Sequence, residues 1–182
     1  MVSINVDLPK TVIFALKLLL MKKLLILFLA FTLNACNDGD FDVPAFEFTE
    51  TVNQCGEYVL YITNTTKTEV LVLTLPQTAI DTIVSVQSLP ISATVTATYR
   101  IFDVGITNKY FCQDIPPLEP KIIKELKADD GGIVNITTTK VLKDSILTGY
   151  SHEITISKLL LEDGNESIYH ESFVFGTLTI NN

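Results

Sequence analysis

The chain has 182 residues and a net charge of −8, and the part after Cys36 carries nine Lys or Arg against twenty Asp or Glu, a net of −11. That part has the length of one domain. An acidic surface repels phosphate backbones and no basic stripe offsets it, so nucleic acid is set aside as a partner.

The N-terminal forty residues hold most of the hydropathy. Read as one segment, residues 11–33 are long enough to cross a bilayer, yet Lys17, Lys22 and Lys23 fall near its middle, each costing about 2.5–3.5 kcal/mol at a helix centre. Starting at Met21 removes the conflict. Lys22 and Lys23 become a positive n-region and Leu24 to Leu33 an h-region, whose helix would span about 15 Å, half of a bilayer core of about 30 Å. Residues 1–20 are therefore expected to be an upstream extension from a mis-called start, and residues 21–35 a signal peptide.

The stretch Leu33-Asn34-Ala35-Cys36 resembles the lipobox of bacterial lipoproteins, where a small residue fits the peptidase subsite ahead of the modified cysteine. The resemblance implies a diacylglyceryl thioether on Cys36 and a membrane partner reached through the lipid, with about 0.8 kcal/mol gained per buried CH₂. An ordinary signal peptide followed by an incidental cysteine is the alternative. Residues 36–44 then form an acidic tether in which Asp38, Asp40 and Asp42 disfavour contact with anionic head groups. These acids are similar to the signal that sends Bacteroidetes lipoproteins to the outer face of the outer membrane, although Gly39 and Phe41 interrupt the usual contiguous run. Outer-membrane anchoring with surface exposure is expected, with a periplasm-facing domain as the alternative. The same acids do not make a calcium loop, because Gly39 comes too early and Thr49 stands where a bidentate Glu is required.

Residues 45–182 read as a single all-β domain. "SATVTATYRIF" is the clearest strand, with Ala93, Val95, Ala97, Tyr99 and Ile101 on one face and Ser92, Thr94, Thr96, Thr98 and Arg100 on the other. Further strands are predicted at residues 45–52, 58–64, 69–75, 82–87, 109–113, 133–141, 150–161 and 167–180. "PKIIKELKADDGG" has Ile122, Ile123 and Leu126 at helical spacing, and Pro120 and Gly131-Gly132 confine any helix there to a brief one. Asp163-Gly164-Asn165 predicts a hairpin turn between the last two strands. The spacing of strands and turns predicts an antiparallel β-sandwich, with a lipocalin-like closed barrel as the alternative, since both give the same alternation.

Cys55 and Cys112 remain after Cys36 is assigned, and in an exported chain an even count favours a disulfide between them over two separate buried thiols. His152 and His170 are the imidazoles available, and neither sits in a triad or H-x-H pattern; no G-x-S-x-G elbow is present. His152 shares its strand face with Tyr150, Ile154 and Ile156, which predicts a packed, hydrogen-bonded histidine. No metal site and no cofactor are expected; Asp129-Asp130-Gly131 and Glu162-Asp163-Gly164 read as turns, with a weak loop-built calcium site as the other reading. A glycosidase needs two carboxylates at a suitable separation, which twenty acids do not rule out, but the chain has no Trp and six Tyr to make sugar platforms. The Thr-rich faces at Thr94–Thr98 and Thr137–Thr139 read as solvated sheet faces or as a flat binding array.

Asp81-Thr82-Ile83 and Asp144-Ser145-Ile146 are similar to the short O-glycosylation pattern of exported Bacteroidetes proteins, which implies Thr82 and Ser145 as acceptors. Through "NACNDGD", "YRIFDVGITNKYFCQDIPPLEP" and "YHESFVFGTLTI", residues 21–182 resemble small lipoproteins of flavobacteria. That resemblance implies an envelope location and an all-β fold and brings no activity with it. The expected function is a non-enzymatic binding or structural module of the envelope, with an envelope protein or a glycan as partner. A small carbohydrate-active hydrolase is the alternative.

Overall fold

The computed structural model describes residues 46–181 apart from Glu50, Glu57, Asp114, Pro116 and Asp130, all within the unit Val43–Asn182. The expected upstream extension, signal peptide, Cys36 and acidic tether lie outside the described residues, as does Ala45. The described residues form nine strands and no helix: β1 (Asn53–Cys55), β2 (Val59–Thr63), β3 (Glu69–Thr74), β4 (Ser85–Pro90), β5 (Thr96–Phe102), β6 (Ile122–Lys127), β7 (Ile133–Lys143), β8 (Ile146–Glu162) and β9 (Ser167–Asn181). Every ladder is antiparallel.

The sheet runs β1-β2-β3-β5-β6-β8-β7-β4, with β9 against β8. It is folded over on itself, and its crease can be located from register. Extending the β4–β7, β7–β8 and β8–β9 registers by one residue sets Ile91 level with Gly132, Gly132 with Lys158, and Lys158 with Glu171. Here the backbone leaves the extended region: Gly132 has φ 106° and Lys158 φ 53°. The Ile91 N–H donates to the Gly132 carbonyl at 3.0 Å, so the bends stack on one another. A side chain at 132 would bring its Cβ to 2.7 Å from Ile91 Cδ1, which explains glycine there on space as well as conformation. β4 and β5, and likewise β6 and β7, are therefore the two arms of single bent paths, and β8 and β9 bend without interruption.

Folding the sheet encloses one core. Leu60, Ile62, Leu71, Leu73, Tyr99 and Leu126 from one arm meet Val134, Ile136, Ile154, Ile156 and Phe175 from the other, all nearly inaccessible to water. Among the described residues the seam between β1 and β9 is spanned by one parallel bridge, Thr51↔Thr177, rather than a ladder, and the sheet does not close. The architecture is an antiparallel sandwich and not the lipocalin-like barrel. A segment at residues 46–49 crosses near this seam, its Thr49 N–H donating to the Thr63 carbonyl at 2.9 Å and its Phe46 ring packed on Tyr99, His170 and Phe173.

A second, smaller apolar layer covers the outer face of β2 and β3. Tyr61, Val70, Val72 and Phe102 pack there beneath Ile106 and Tyr110 of the following loop. The expected Cys55–Cys112 bond is formed, with Cα atoms 4.9 Å apart, and it fastens this loop to β1. Tyr61 Oη adds a hydrogen bond to the Asn108 carbonyl at 2.7 Å.

Five expectations are corrected. "PKIIKELK" contributes β6 and no helix: Arg100 stands opposite Glu125 and binds it at 2.6 Å, while Leu126 is buried opposite Tyr99. Pairing with β5 outweighs the local helical spacing. Residues 109–113 are not a strand but successive turns closed by Tyr110 N–H to Thr107 O and Cys112 N–H to Lys109 O, both 3.0 Å, because Tyr110 serves as a plug against Phe102. The strand expected at residues 82–87 starts at Ser85 and continues to Pro90, and that expected from Ser92 starts at Thr96, since residues 91–95 make the crease. Around residues 45–52, only Thr51 makes a bridge among those described. The final hairpin is as expected, with Asp163 Oδ1 accepting the Asn165 and Glu166 N–H groups at 2.9 Å.

Candidate functional site

The β7–β8 register places Thr138 directly opposite His152 on the inward face. Both are 1 % exposed, and Thr138 Oγ1 and His152 Nδ1 are 3.0 Å apart in a buried hydrogen bond. This is the packed strand histidine expected from its alternation with Ile154 and Ile156. Burial pushes the imidazole's pKa down, and the negative charge of Asp81 opposes that shift in part. A neutral ring is thus favoured near neutral pH.

Asp81 arrives on the segment between β3 and β4. That segment turns at Pro76, whose carbonyl accepts the Ala79 N–H at 2.9 Å, and inserts Ala79 into the core. Gln87 Nε2 of β4 holds it from the other side through the Ala79 carbonyl at 3.4 Å. Asp81 Oδ1 then accepts the Ile83 N–H at 3.0 Å, a local side-chain turn that fixes the carboxylate. Between this segment and β8–β9 lies an open groove of about 490 Å³, whose polar lining is Gln54, Gln77, Asp81, Thr82, Tyr150 and His152. Ile80 and Ile180 supply its apolar part. The arrangement offers amide and hydroxyl groups for hydrogen bonding, one aromatic ring and one carboxylate.

Two further open grooves are present. One, of about 420 Å³ beside the crease, is lined by Ser92, Thr96, Thr98, Lys127 and Asp129 among others, and so takes up part of the Thr94–Thr98 face. The other, of about 260 Å³, brings together Thr49, Asn53, Thr63, Asn64, Lys67 and Asn108 among others, where Lys67 Nζ donates to Asn108 Oδ1 at 2.9 Å. The Thr137–Thr139 run divides: Thr138 turns inward to His152, while Thr137 and Thr139 lie on the outer face.

Thr82 is exposed at the first groove, and Ser145 is exposed in the β7–β8 turn, where Asp144 and Ser145 have φ of 52° and 67°. The structure does not bring these two residues into one site. His170 is also separate: it stacks on Phe46 with ring centroids 4.4 Å apart, its Nε2 is buried without a partner, and burial pushes its pKa down. Gln54, Gln77, Asp81 and Tyr150 were not singled out as a group by sequence, because they come from distant segments and share no motif. The acidic turns at Asp129 and Asp163 do not converge, and among the described residues no three His, Cys, Asp or Glu are placed to hold a metal ion. No known family model, curated protein or solved structure matches this chain.

Proposed function

We propose that this chain is a lipid-anchored protein of the cell envelope, held through Cys36 in the outer membrane, and that its sandwich is a non-enzymatic binding module. The observation that carries the binding reading is the groove beside β8. Its walls are fixed by the core on one side and by the Asp81–Ile83 and Gln87–Ala79 hydrogen bonds on the other. Such a rigid groove, rich in amide and hydroxyl groups, suits a polar ligand such as a glycan or a segment of an envelope protein. The lipobox-like Leu33-Asn34-Ala35-Cys36 supports the anchor, and the acids of the tether support display on the outer face. Thr82 and Ser145 are the proposed O-glycosylation acceptors, both exposed.

The second reading is a small carbohydrate-active hydrolase, favoured by the placing of His152 within reach of the Asp81 charge. It is the weaker one: among the described residues the groove is lined by one carboxylate, that of Asp81, whereas acid–base glycoside hydrolysis ordinarily uses two. Titration of the full chain with a panel of envelope glycans, followed by calorimetry and by product analysis, separates the readings. Binding without turnover, weakened by Gln54→Ala and Tyr150→Ala, is the expected result. Turnover abolished by Asp81→Asn would replace it with the hydrolase.

A further inference from the structure

Among the described strands β4 pairs on one side only, with β7. The bond from Ile91 N–H to the Gly132 carbonyl fixes the phase of that ladder, since backbone groups alternate sides along a strand. Residues 85, 87 and 89 direct their N–H and C=O groups to β7, while Val86 and Ser88 direct theirs, and Pro90 its C=O, to the open edge. Pro90 fits this phase because an edge-facing position asks for no N–H in the internal ladder.

Apart from Pro90 at its end, this edge lacks the usual protection among the described residues. It is a regular six-residue strand, no bulge interrupts its pairing with β7, and from Ile83 to Ile91 the sequence IVSVQSLPI contains no charge. Ile83, Val84 and Val86 are 65 %, 55 % and 78 % exposed. Natural edges of this kind are normally guarded by lysine, a bulge or a covering segment. The contrast is sharp in a domain that is otherwise strongly acidic.

We infer that β4 pairs antiparallel with β4 of a second copy of this chain, centred on Gln87. The register is self-complementary. Val86 comes opposite Ser88 of the second copy and Ser88 opposite its Val86, and all of these residues have edge-directed groups, so each pair exchanges two hydrogen bonds. Gln87 meets Gln87 of the second copy in the closer, non-hydrogen-bonded pairing. The contact also joins the two acidic molecules along a strip without charge, where their mutual repulsion is least concentrated. The second halves of the two sandwiches become one continuous sheet, related by a two-fold axis. The inference is independent of the lipid anchor and needs no ligand in the groove, although Gln87 also holds the groove's wall through the Ala79 carbonyl.

Cysteine substitution in the full chain tests it, in a Cys36→Ser background in detergent so that the anchor plays no part. Opposed Cα atoms of a non-hydrogen-bonded pair lie about 4.5 Å apart, within reach of a disulfide. Gln87→Cys is expected to oxidise to a covalent dimer on a non-reducing gel, whereas Ser85→Cys and Leu89→Cys, each displaced from its own counterpart by the antiparallel register, remain monomeric. Adding Ser88→Pro removes an edge donor without touching the β7 ladder and should lower the dimer yield about tenfold or more. If that variant misfolds, Val86→Lys supplies the same disruption through charge. Monomeric Gln87→Cys protein, or equal crosslinking at 85, 87 and 89, would overturn the proposal.

Discussion

At the scale of the residue, the clearest consequences attach to buried polar groups. His152 has its folded-state pKa pushed below the unfolded value of 6.5, so below that pH the unfolded chain takes up a proton that the folded chain resists. Its neutral burial therefore stabilises the fold fully above about pH 6.5, and this contribution is lost as pH falls, by up to about 1.4 kcal/mol per unit. Urea unfolding at pH 7.5 and 5.5 should show the native chain losing stability and His152→Gln losing less. Parallel losses in the two proteins would refute the assignment. His170 shifts in the same direction, so its replacement should flatten the profile further. Tyr99 is a different case: burial and its 2.8 Å hydrogen bond to Glu69 Oε2 hold the phenol above its ordinary range, which favours the neutral, donating form. His152 was legible in the sequence because Tyr150, Ile154 and Ile156 share its alternation. Its partner was not, since only the β7–β8 register selects Thr138 from three consecutive threonines.

At the scale of the element, the loop over β2–β3 depends on Cys55–Cys112, which closes a separation of 57 residues. On the chain-entropy account, reduction should cost about 4 kcal/mol. The expected sign is a lower midpoint of thermal unfolding with reductant present, together with faster amide exchange at Ile106 and Tyr110. An unchanged midpoint would mean that the small apolar layer holds the loop unaided. The crease gives a second prediction. Gly132→Ala imposes a side chain on a φ of 106° and on the space held by Ile91, and should destabilise by about 1–3 kcal/mol, read as a lower urea midpoint at unchanged slope. Long alternating strands were readable because each buries one face, as Ala97 and Tyr99 do between Thr96, Thr98 and Arg100. β6 was not, because Ile122 and Ile123 are both exposed and only Leu126 is buried, leaving almost no alternation to detect. The groove was hidden for another reason: Gln54, Asp81 and Tyr150 meet only after the sheet folds.

At the scale of the whole molecule, the anchor reading makes its own prediction. Membrane-extracted protein should begin at Cys36 and carry the mass of its acyl chains, and Cys36→Ser should abolish that increment. An unmodified Cys36 still joined to Leu33 through Asn34 and Ala35 in the mature protein would contradict it. Protease added to intact cells should remove an outward-facing domain, and Asp38→Asn, Asp40→Asn and Asp42→Asn together should protect it. A domain protected in both forms until the outer membrane is opened would make these acids tether and not address.

The stacked bends also limit how the gene can change. Ile91, Gly132, Lys158 and Glu171 must stay level across the sheet, so a single-codon insertion or deletion within β7, β8 or β9 would move one bend out of line and turn the following side chains to the opposite face. An insertion between Asp144 and Ser145 or at Gly164 moves neither. Length variation in this lineage should therefore collect at the hairpin ends, and those are the places where an epitope or fluorescent tag can be added without disturbing the fold.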